Sequence, residues 1–473
     1  MKDITHMPHD RQPRRGALEM GRREMIATTT AGAAALLLGQ GAQARSQPAW
    51  FAGRQGFLSQ KNPLATEGQR RVEDRALALL QRPELVKARA VVTTLWQAVT
   101  AWPMRDQADR FAAMIDEYMF HHAFRAANCD PDFPEVARFM APPHHWFGRD
   151  VPGSRWAGDS PDFVYRTIPI VHGGRYEIHG TPTSDVPPIV FWSLMSENTA
   201  APQTLALLES ADMAFQADGS FVVTVDDTPP NGRRNHLQTR PGAEFLMIRD
   251  ALGDWMTQSA NALTVRRLDP GGGPKSVEGM ARHAAKIAIE GVYYSFYITQ
   301  NANLSEPNQV RAPMSSAVFG GVATQWGTIG RLDLLPDDAI IVRCNAAGAR
   351  FRNLTIKSLY MLTVDYWKRT TSFNMQQMAA DADGDFTFVI AHQDPGVHNW
   401  LDTGGLRRTL FGQRWQAFAR EGATAQPWMT TKLVKLDALE KSLPDGVRRL
   451  DAAGRKAQIG ARQTGFDRRF IDV

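Results

Sequence analysis

Cysteine is scarce in this sequence, and its spacing excludes two common ways of building a fold. Cys129 and Cys344 are the two cysteines among 473 residues, and neither belongs to a CxxC or CxxH motif. A single disulfide between them stays open. A disulfide framework or a zinc finger is excluded, because each needs several cysteines or histidines at short spacing.

Long apolar runs and a strong charge of one sign are also missing. After the N-terminus no stretch approaches the roughly 20 apolar residues of a membrane-spanning helix, so we expect no membrane span. The formal charge of +5 is mild for this length, and the arginines are scattered, so we expect no nucleic-acid partner. With 43% hydrophobic and 22% charged residues, the composition is that of a globular protein with several packed units. The oligomeric state is not encoded.

The familiar catalytic and cofactor motifs are absent as well. We find no GxSxG, SxxK, P-loop or HExxH motif, and no GxGxxG between a strand and a helix, so we expect neither an organic cofactor nor a bound metal. The histidines at 121–122 and 144–145 are adjacent in the sequence. Because neighbouring side chains on a helix point in different directions, we do not expect such a pair to bind one metal ion.

The N-terminus predicts export. Arg22 and Arg23 precede a modest apolar run at 25–38, and Ala-Gln-Ala at 42–44 has the small-x-small pattern of a cleavage site. The arginine pair favours a twin-arginine signal peptide over residues 1–44, with an ordinary secretory signal as the alternative. Either way we expect a periplasmic or secreted bacterial protein.

The remaining chain changes character several times. Apolar residues at helical spacing give way to short β-branched and aromatic runs, which are bounded by Gly, Pro and Asp. We predict a helical region at 45–145, a first β domain at 146–270, a linking helix and Gly-rich loop at 271–330, a second β domain at 331–425 and a charged helical tail at 426–473.

The two β domains look like copies of one another. ADGSFVVTV begins at Ala217 and ADGDFTFVI at Ala382, and a similar order of residues follows each. The matched positions are Asn235 and Asn399, Leu237 and Leu401, Thr239 and Thr403, Arg249 and Arg414, and, upstream, Arg175–Tyr176 and Arg350–Phe351. Strands without intervening helices then predict an α+β protein with two antiparallel β-sandwich or jelly-roll-like units.

One stretch carries a family resemblance. Residues 365–415, DYWKRTTSFNMQQMAADADGDFTFVIAHQDPGVHNWLDTGGLRRTLFGQRW, resemble bacterial proteins that carry the domain of unknown function 1214, which often accompanies domain 1254. The resemblance is weaker over 160–267. It implies a β-rich, jelly-roll-like fold and supplies no catalytic residues.

The loop AHQDPGVHNWLDTGG at 391–405 concentrates polar side chains. Because Asn399, Leu401 and Thr403 recur in the first copy, we interpret them as scaffold. The residues that differ between the copies are the functional candidates, namely His392, Asp394, His398, Trp400 and Asp402 in place of Asp227, Pro229, Arg234, His236 and Gln238.

These candidates suggest acid–base chemistry. We predict His392 as the acid or base, Asp394 or Asp402 as its orienting carboxylate, and Tyr366 with Arg369 as the electrostatic stabiliser. The predicted substrate-binding residues are His398, Trp400, Asn374, Arg414 and Trp367. Another polar set, in AGDSPDFVYRT, consists of Asp159, Asp162, Tyr165 and Arg166, which we interpret mainly as turn and capping residues.

The leading functional hypothesis is an exported enzyme without an organic cofactor. It would catalyse hydrolysis or elimination on a ring-containing small molecule or a glycan-like substrate. The alternative is a non-catalytic ligand-binding or envelope protein, and a weaker alternative is a metal-dependent hydrolase or oxygenase that uses His392 and His398.

Overall fold

The computed structural model describes residues 56–100, 105–156, 158–196, 203–269, 271–303, 306–315, 325–418 and 425–470. Helices and antiparallel sheets occupy separate parts of this chain, which confirms the α+β class. The helices are α1 Glu67–Leu80, α2 Pro83–Thr100, α3 Phe111–Ala127, α4 Val277–Asn303 and α5 Ala452–Asp467. None of these described helices is long and apolar enough to cross a membrane. The predicted signal peptide lies outside the described residues.

Helix α1 shows how local sequence sets the start and the buried face of a helix. The hydroxyl of Thr66 accepts a hydrogen bond of 2.9 Å from the backbone N–H of Gln69, which caps the first turn. Val72, Ala76 and Leu79 recur at helical spacing and are buried.

The first β unit is a sandwich of two sheets. Its strands are β1 Ala137–Phe139, β2 His144–Trp146, β3 Arg149–Val151, β4 Phe163–Pro169, β5 Tyr176–Thr181, β6 Ile189–Ser196, β7 Thr204–Glu209, β8 Phe221–Asp226, β9 His236–Gln238, β10 Ala243–Ala251 and β11 Ala262–Arg267. One sheet has the order β1-β4-β10-β6-β7 and the other β11-β5-β8-β9, while β2 and β3 form a separate ribbon. Trp192 of β6, Ile178 of β5 and Val223 of β8 meet in the core between the sheets.

The second β unit repeats this arrangement. Its strands are β12 Gln309–Val310, β13 Met314–Ser315, β14 Gln325–Asp333, β15 Asp338–Cys344, β16 Ala349–Lys357, β17 Ser372–Asn374, β18 Phe386–Ala391, β19 Trp400–Asp402, β20 Arg408–Phe418 and β21 Met429–Lys435. The larger sheet has the order β12-β14-β20-β16-β17, with β13 also on β14, and the smaller has the order β19-β18-β15-β21. Trp415, Phe388 and Ile340 lie in its core.

Strand register supports the duplication. In the first unit β8 and β9 run parallel and Val225 pairs with Leu237, whereas in the second β18 and β19 run parallel and Ile390 pairs with Leu401. The sequence alignment places these residues at equivalent positions. A parallel pair inside an otherwise antiparallel sheet is a specific feature, and both copies have it at the same place.

Two predictions from the alignment and the periodicity were wrong. Tyr176 begins β5 in the smaller sheet, whereas Phe351 lies in β16 of the larger sheet, so the two residues are not equivalent. The strand that occupies the place of β5 is β15. In the predicted helical tail, Met429–Lys435 forms a strand, because it hydrogen-bonds along β15 at the sheet edge. Among the described residues after it, α5 is the α-helix.

The helical region is joined to both β units by one apolar core. Trp96 of α2 meets the rings of Tyr118 and Tyr360 edge-on at 6.1 and 6.2 Å. The rings of Phe163 and Phe351, one from each unit, lie 5.0 Å apart in the same cluster. The helices therefore pack against the junction between the two units.

Candidate functional site

His392 has partners other than the predicted carboxylates. Its Nε2 lies 3.0 Å from the carbonyl oxygen of Leu334, and its Nδ1 lies 2.7 Å from the hydroxyl of Thr403. A neutral ring that donates from Nε2 to the carbonyl and accepts from the hydroxyl satisfies both contacts. The predicted pairing with Asp394 or Asp402 is therefore corrected.

Asp394 connects this loop to the C-terminal helix. Its Oδ2 accepts a hydrogen bond of 2.9 Å from Nε of Arg455 in α5, and its Oδ1 accepts one from the N–H of Gly396. The same guanidinium lies over the ring of Trp400, 5.1 Å from its centroid. Asp394 and Trp400 thus dock α5 onto the second β unit.

Asp402 and Arg369 form a pair at the edge of the loop. Arg369 donates from Nη1 to Oδ2 of Asp402 at 2.8 Å, and this bond raises the pKa of Arg369. The arginine side chain is 44% exposed and that of Asp402 only 7%. Oδ1 of Asp402 accepts from the N–H of Gly404. This pair stabilises the turn, and it leaves Arg369 with a partner other than Tyr366.

Tyr366 and Trp367 lie in an aromatic cluster under α5. The ring of Tyr366 meets Trp255 at 5.9 Å, and Trp367 stacks on Phe466 at 5.1 Å. Burial raises the pKa of Tyr366 to about 12.

Sequence reasoning paired Tyr366 with the wrong arginine. The positive charges that act on its hydroxyl belong to Arg469, Arg138 and Arg155, which come from three distant segments. Arg369 is only three residues after Tyr366 in the sequence, but its guanidinium is bound to Asp402 instead. The sequence predicted one arginine, Arg369, beside Tyr366, whereas three other arginines lie near it in the fold.

The other predicted binding residues are separated from one another. His398 places Nδ1 3.1 Å from Oδ1 of Asn399, and burial lowers its pKa. Arg414 lies within β20, in register with Asn353 of β16 and Gly327 of β14. Neither the loop nor these residues line the two cavities described below.

Asn374 instead joins the second polar set that the sequence identified. Its Nδ2 donates to Oδ1 of Asp162 at 2.8 Å. Asp159 accepts from the backbone N–H and the hydroxyl of Thr363, and Arg166 is bonded to Asp250. All of these contacts are buried and structural: the bonds of Asn374 to Asp162 and of Thr363 to Asp159 join the two β units, whereas Arg166 and Asp250 link β4 to β10 within the first unit.

Metal ligands do not converge in the part of the chain that the structure describes. No group of three or more His, Cys, Asp or Glu side chains is placed to hold an ion there. His121 and His122 turn their Nδ1 atoms to the carbonyls of Ser154 and Tyr118. Cys129 and Cys344 are both free thiols, so the disulfide left open by the sequence does not form.

A cavity of about 400 Å³ lies between the helices and the first β unit. We call it the basic pocket, because its polar lining consists mainly of Arg125, Lys275, His172 and His283, with Glu244 as the carboxylate. The end of α3, the turn after β4, the start of β10, and α4 with the residues just before it supply these side chains. Sequence reasoning missed the site, since its members come from four segments and no motif links them.

Solved structures show where the fold occurs. An uncharacterized protein from Burkholderia cenocepacia has a similar structure, with a TM-score of 0.64 at 20% identity, and the match covers 77% of this chain and 100% of that one. At this identity the likeness concerns the fold. A protein from Vibrio parahaemolyticus matches at a TM-score of 0.35 and 11% identity, over 58% of this chain and 90% of its own. No curated protein matches the chain.

A family model matches part of the sequence. Residues 169–251 fit the model described as "Protein of unknown function (DUF1214)". The match lies in the first β unit, within the segment of the weaker resemblance, and the pairing with domain 1254 stays a prediction. His172, Gly242 and Phe245 belong to the matched residues and line the basic pocket. Residues 169–251 thus match a family of unknown function, and this matched segment supplies one wall of the pocket.

Proposed function

We propose that this protein is an exported binding protein for a small organic anion, and that the basic pocket is its binding site. One observation carries the proposal. Two permanent cations and two histidines line a cavity in which Glu244 is the one carboxylate among the lining residues. Such a lining favours anionic ligands, because charge-assisted hydrogen bonds are stronger than neutral ones.

Arg125 is the best-placed anchor. Its guanidinium carbon lies 4.5 Å from the centroid of the Phe245 ring, so the aromatic face orients the guanidinium plane. Because the guanidinium is already oriented, the side chain loses little conformational freedom when a ligand binds. Its planar edge matches a carboxylate or a phosphate. Phe245 therefore acts as a support for the cation.

Lys275 adds a second charge at a fixed place. Its Nζ donates to the carbonyl oxygen of Cys129 at 2.7 Å, and its backbone N–H donates to Asp130. An ammonium has three donors, so this anchoring leaves capacity for a ligand.

The remaining lining suits an organic molecule. Ile170, Phe245 and Pro131 give the cavity apolar surface beside the cations. Ligand pockets typically combine an apolar wall with a few convergent polar groups, and about 400 Å³ is within their usual size. A small carboxylic acid or phosphate ester fits this combination better than a bare inorganic ion.

Binding is preferred to catalysis because the predicted acid–base group is not assembled. His392 contacts a carbonyl and a hydroxyl, and the two aspartates are bound to arginines. Hydrolysis or elimination on a ring-containing substrate stays a prediction from the sequence. Export also rests on the sequence of residues 1–44, and it would place the ligand in the periplasm or outside the cell.

Titration calorimetry at neutral pH tests the proposal with benzoate, succinate and inorganic phosphate, and with benzamide as an uncharged match for benzoate. We expect an organic anion to bind, and Arg125→Gln and Lys275→Gln each to weaken it about tenfold or more. Arg343→Gln, which removes a half-buried arginine that is bound to Asp383 and does not line the basic pocket, is the control and should leave the affinity unchanged. The proposal fails if benzamide binds as well as benzoate, or if no anion binds.

A further inference from the structure

A second cavity, of about 240 Å³, lies in the first β unit on other elements. We call it the ring pocket. Its walls come from the loop between β5 and β6, the segment between β7 and β8, and the residue before β11. Pro182, Pro187, Pro188, Met213, Phe215 and Phe221 give it an apolar surface.

The two phenylalanines define the shape of this surface. Their ring centroids are 5.6 Å apart and the ring planes meet at 84°, which is an edge-to-face contact. Phe221 is buried and fixes the inner wall, while Phe215 is 40% exposed and stands at the mouth. Proline rings add rigidity, so the pocket offers preformed flat faces.

Two polar residues interrupt the apolar lining, Ser210, whose hydroxyl accepts a hydrogen bond from the N–H of Val190, and Asn261. Asn261 is only 2% exposed, and its backbone N–H and C=O are bonded to Asp250 and Arg166. Its side-chain Oδ1, in contrast, is buried without a hydrogen-bond partner among the described residues. A buried amide oxygen without a hydrogen-bond partner lowers the stability of the fold. A ligand donor that bonds to it therefore contributes more binding free energy than the same bond at the surface.

We propose that the ring pocket binds a small planar ring compound with one hydroxyl or N–H donor, that is, a phenol-like molecule. The ring lies against Phe215 and the prolines, and the donor bonds to Oδ1 of Asn261. The size agrees, since a cavity of roughly 150 Å³ already holds benzene and this one has about 240 Å³. This site does not depend on the anion-binding function, because it shares no residue with the basic pocket.

Ligand-observed NMR and calorimetry with phenol and toluene test the site in the full chain. We expect both to bind the wild type, Asn261→Leu to weaken phenol about tenfold or more while toluene is retained, and Phe215→Ala to weaken both. Arg125→Gln should leave phenol binding unchanged. Equal phenol affinity in wild type and Asn261→Leu overturns the role of the amide, and no binding of either compound overturns the site.

A second measurement avoids reliance on a variant that could fail to fold. Wild-type crystals soaked in 4-bromophenol should show an anomalous bromine peak within the ring pocket, with the phenol oxygen next to Asn261. A peak confined to other places, or none, contradicts the proposal.

Discussion

Asn374 of the second β unit donates a hydrogen bond of 2.8 Å from Nδ2 to Oδ1 of Asp162 in the first. Asn353 donates to Oδ2 of the same carboxylate at 3.1 Å, and Nε1 of Trp255 donates to Oδ1 at 3.2 Å. Burial raises the pKa of Asp162, and the hydrogen bonds from Asn374 and Asn353 oppose that shift. One buried carboxyl group therefore joins the two halves of the molecule.

Replacing Asn374 with leucine should weaken this junction strongly. The variant removes a donor from a buried carboxyl group and leaves the carbonyl of Gly253 without the amide that now bonds to it. We expect a loss of about 2–3 kcal/mol in the free energy of unfolding, measured by urea denaturation at pH 7. Gln376→Leu, two residues away and exposed, is the matched control and should change stability little. Equal stabilities for the two variants would contradict the interpretation.

Acid should destabilise the protein through two histidines of α3. Burial is the main cause that lowers the pKa of His121 to about 3, and it also lowers the pKa of His122. An unfolded histidine titrates near 6.5, so below that pH the unfolded chain takes up protons that the folded chain does not. Stability is then lost as the pH falls from about 6.5 towards 3; His121 alone costs about 2 kcal/mol at pH 5, and His122 acts in the same direction.

The test of this pH dependence is urea denaturation at pH 7 and pH 5. His121→Gln should reduce the difference between the two pH values by about 2 kcal/mol, since the neutral amide does not titrate. His145→Gln changes an exposed histidine bound to Asp150 and should leave the difference as it is. A wild type that is equally stable at both pH values would show that the two histidines can be protonated in the fold.

Local patterns in the sequence predicted the elements and the scaffold, because both depend on nearby residues. Thr66, for example, is a hydroxyl residue directly before a segment with apolar residues at helical spacing, and it caps that helix. Asn399 was interpreted as scaffold because Asn235 matches it, and the structure gives both the same contacts. Asn399 bonds to the backbone of Ala379, and Asn235 bonds to that of Ala214, at the equivalent position.

This equivalence gives a matched pair of variants. Asn399 is buried and also donates to the carbonyl of Thr387, whereas Asn235 is more exposed. We expect Asn399→Ala to cost about 2–3 kcal/mol and Asn235→Ala about 1 kcal/mol, since the desolvation penalty of the groups left behind grows with burial. Thermal and urea unfolding of both variants measures the difference. A larger effect at Asn235 would contradict this order.

The sites could not be predicted in the same way, because they depend on contacts between distant segments. Nothing near Arg125 in the sequence indicates Lys275 or His172, which meet it only after α4 packs against the first β unit. Tyr366 has Arg469 and Arg138 as neighbours for the same reason. Tyr366 and Arg369 lie in one short segment, which suggested that they act together, but the fold places other arginines beside the tyrosine.

Substitutions of His392 distinguish a structural role of its loop from a catalytic one. Its ring ties the end of β18 to the carbonyl of Leu334 and to the hydroxyl of Thr403, so His392→Ala should cost about 1–2 kcal/mol in unfolding free energy. His392→Gln keeps a donor for the carbonyl and should recover part of this loss. Calorimetric binding of organic anions should be the same for both variants as for the wild type, because His392 does not line the basic pocket. If His392→Ala instead leaves stability unchanged and abolishes turnover of a ring-containing or glycan-like substrate, the loop is catalytic and the binding function proposed above is incomplete.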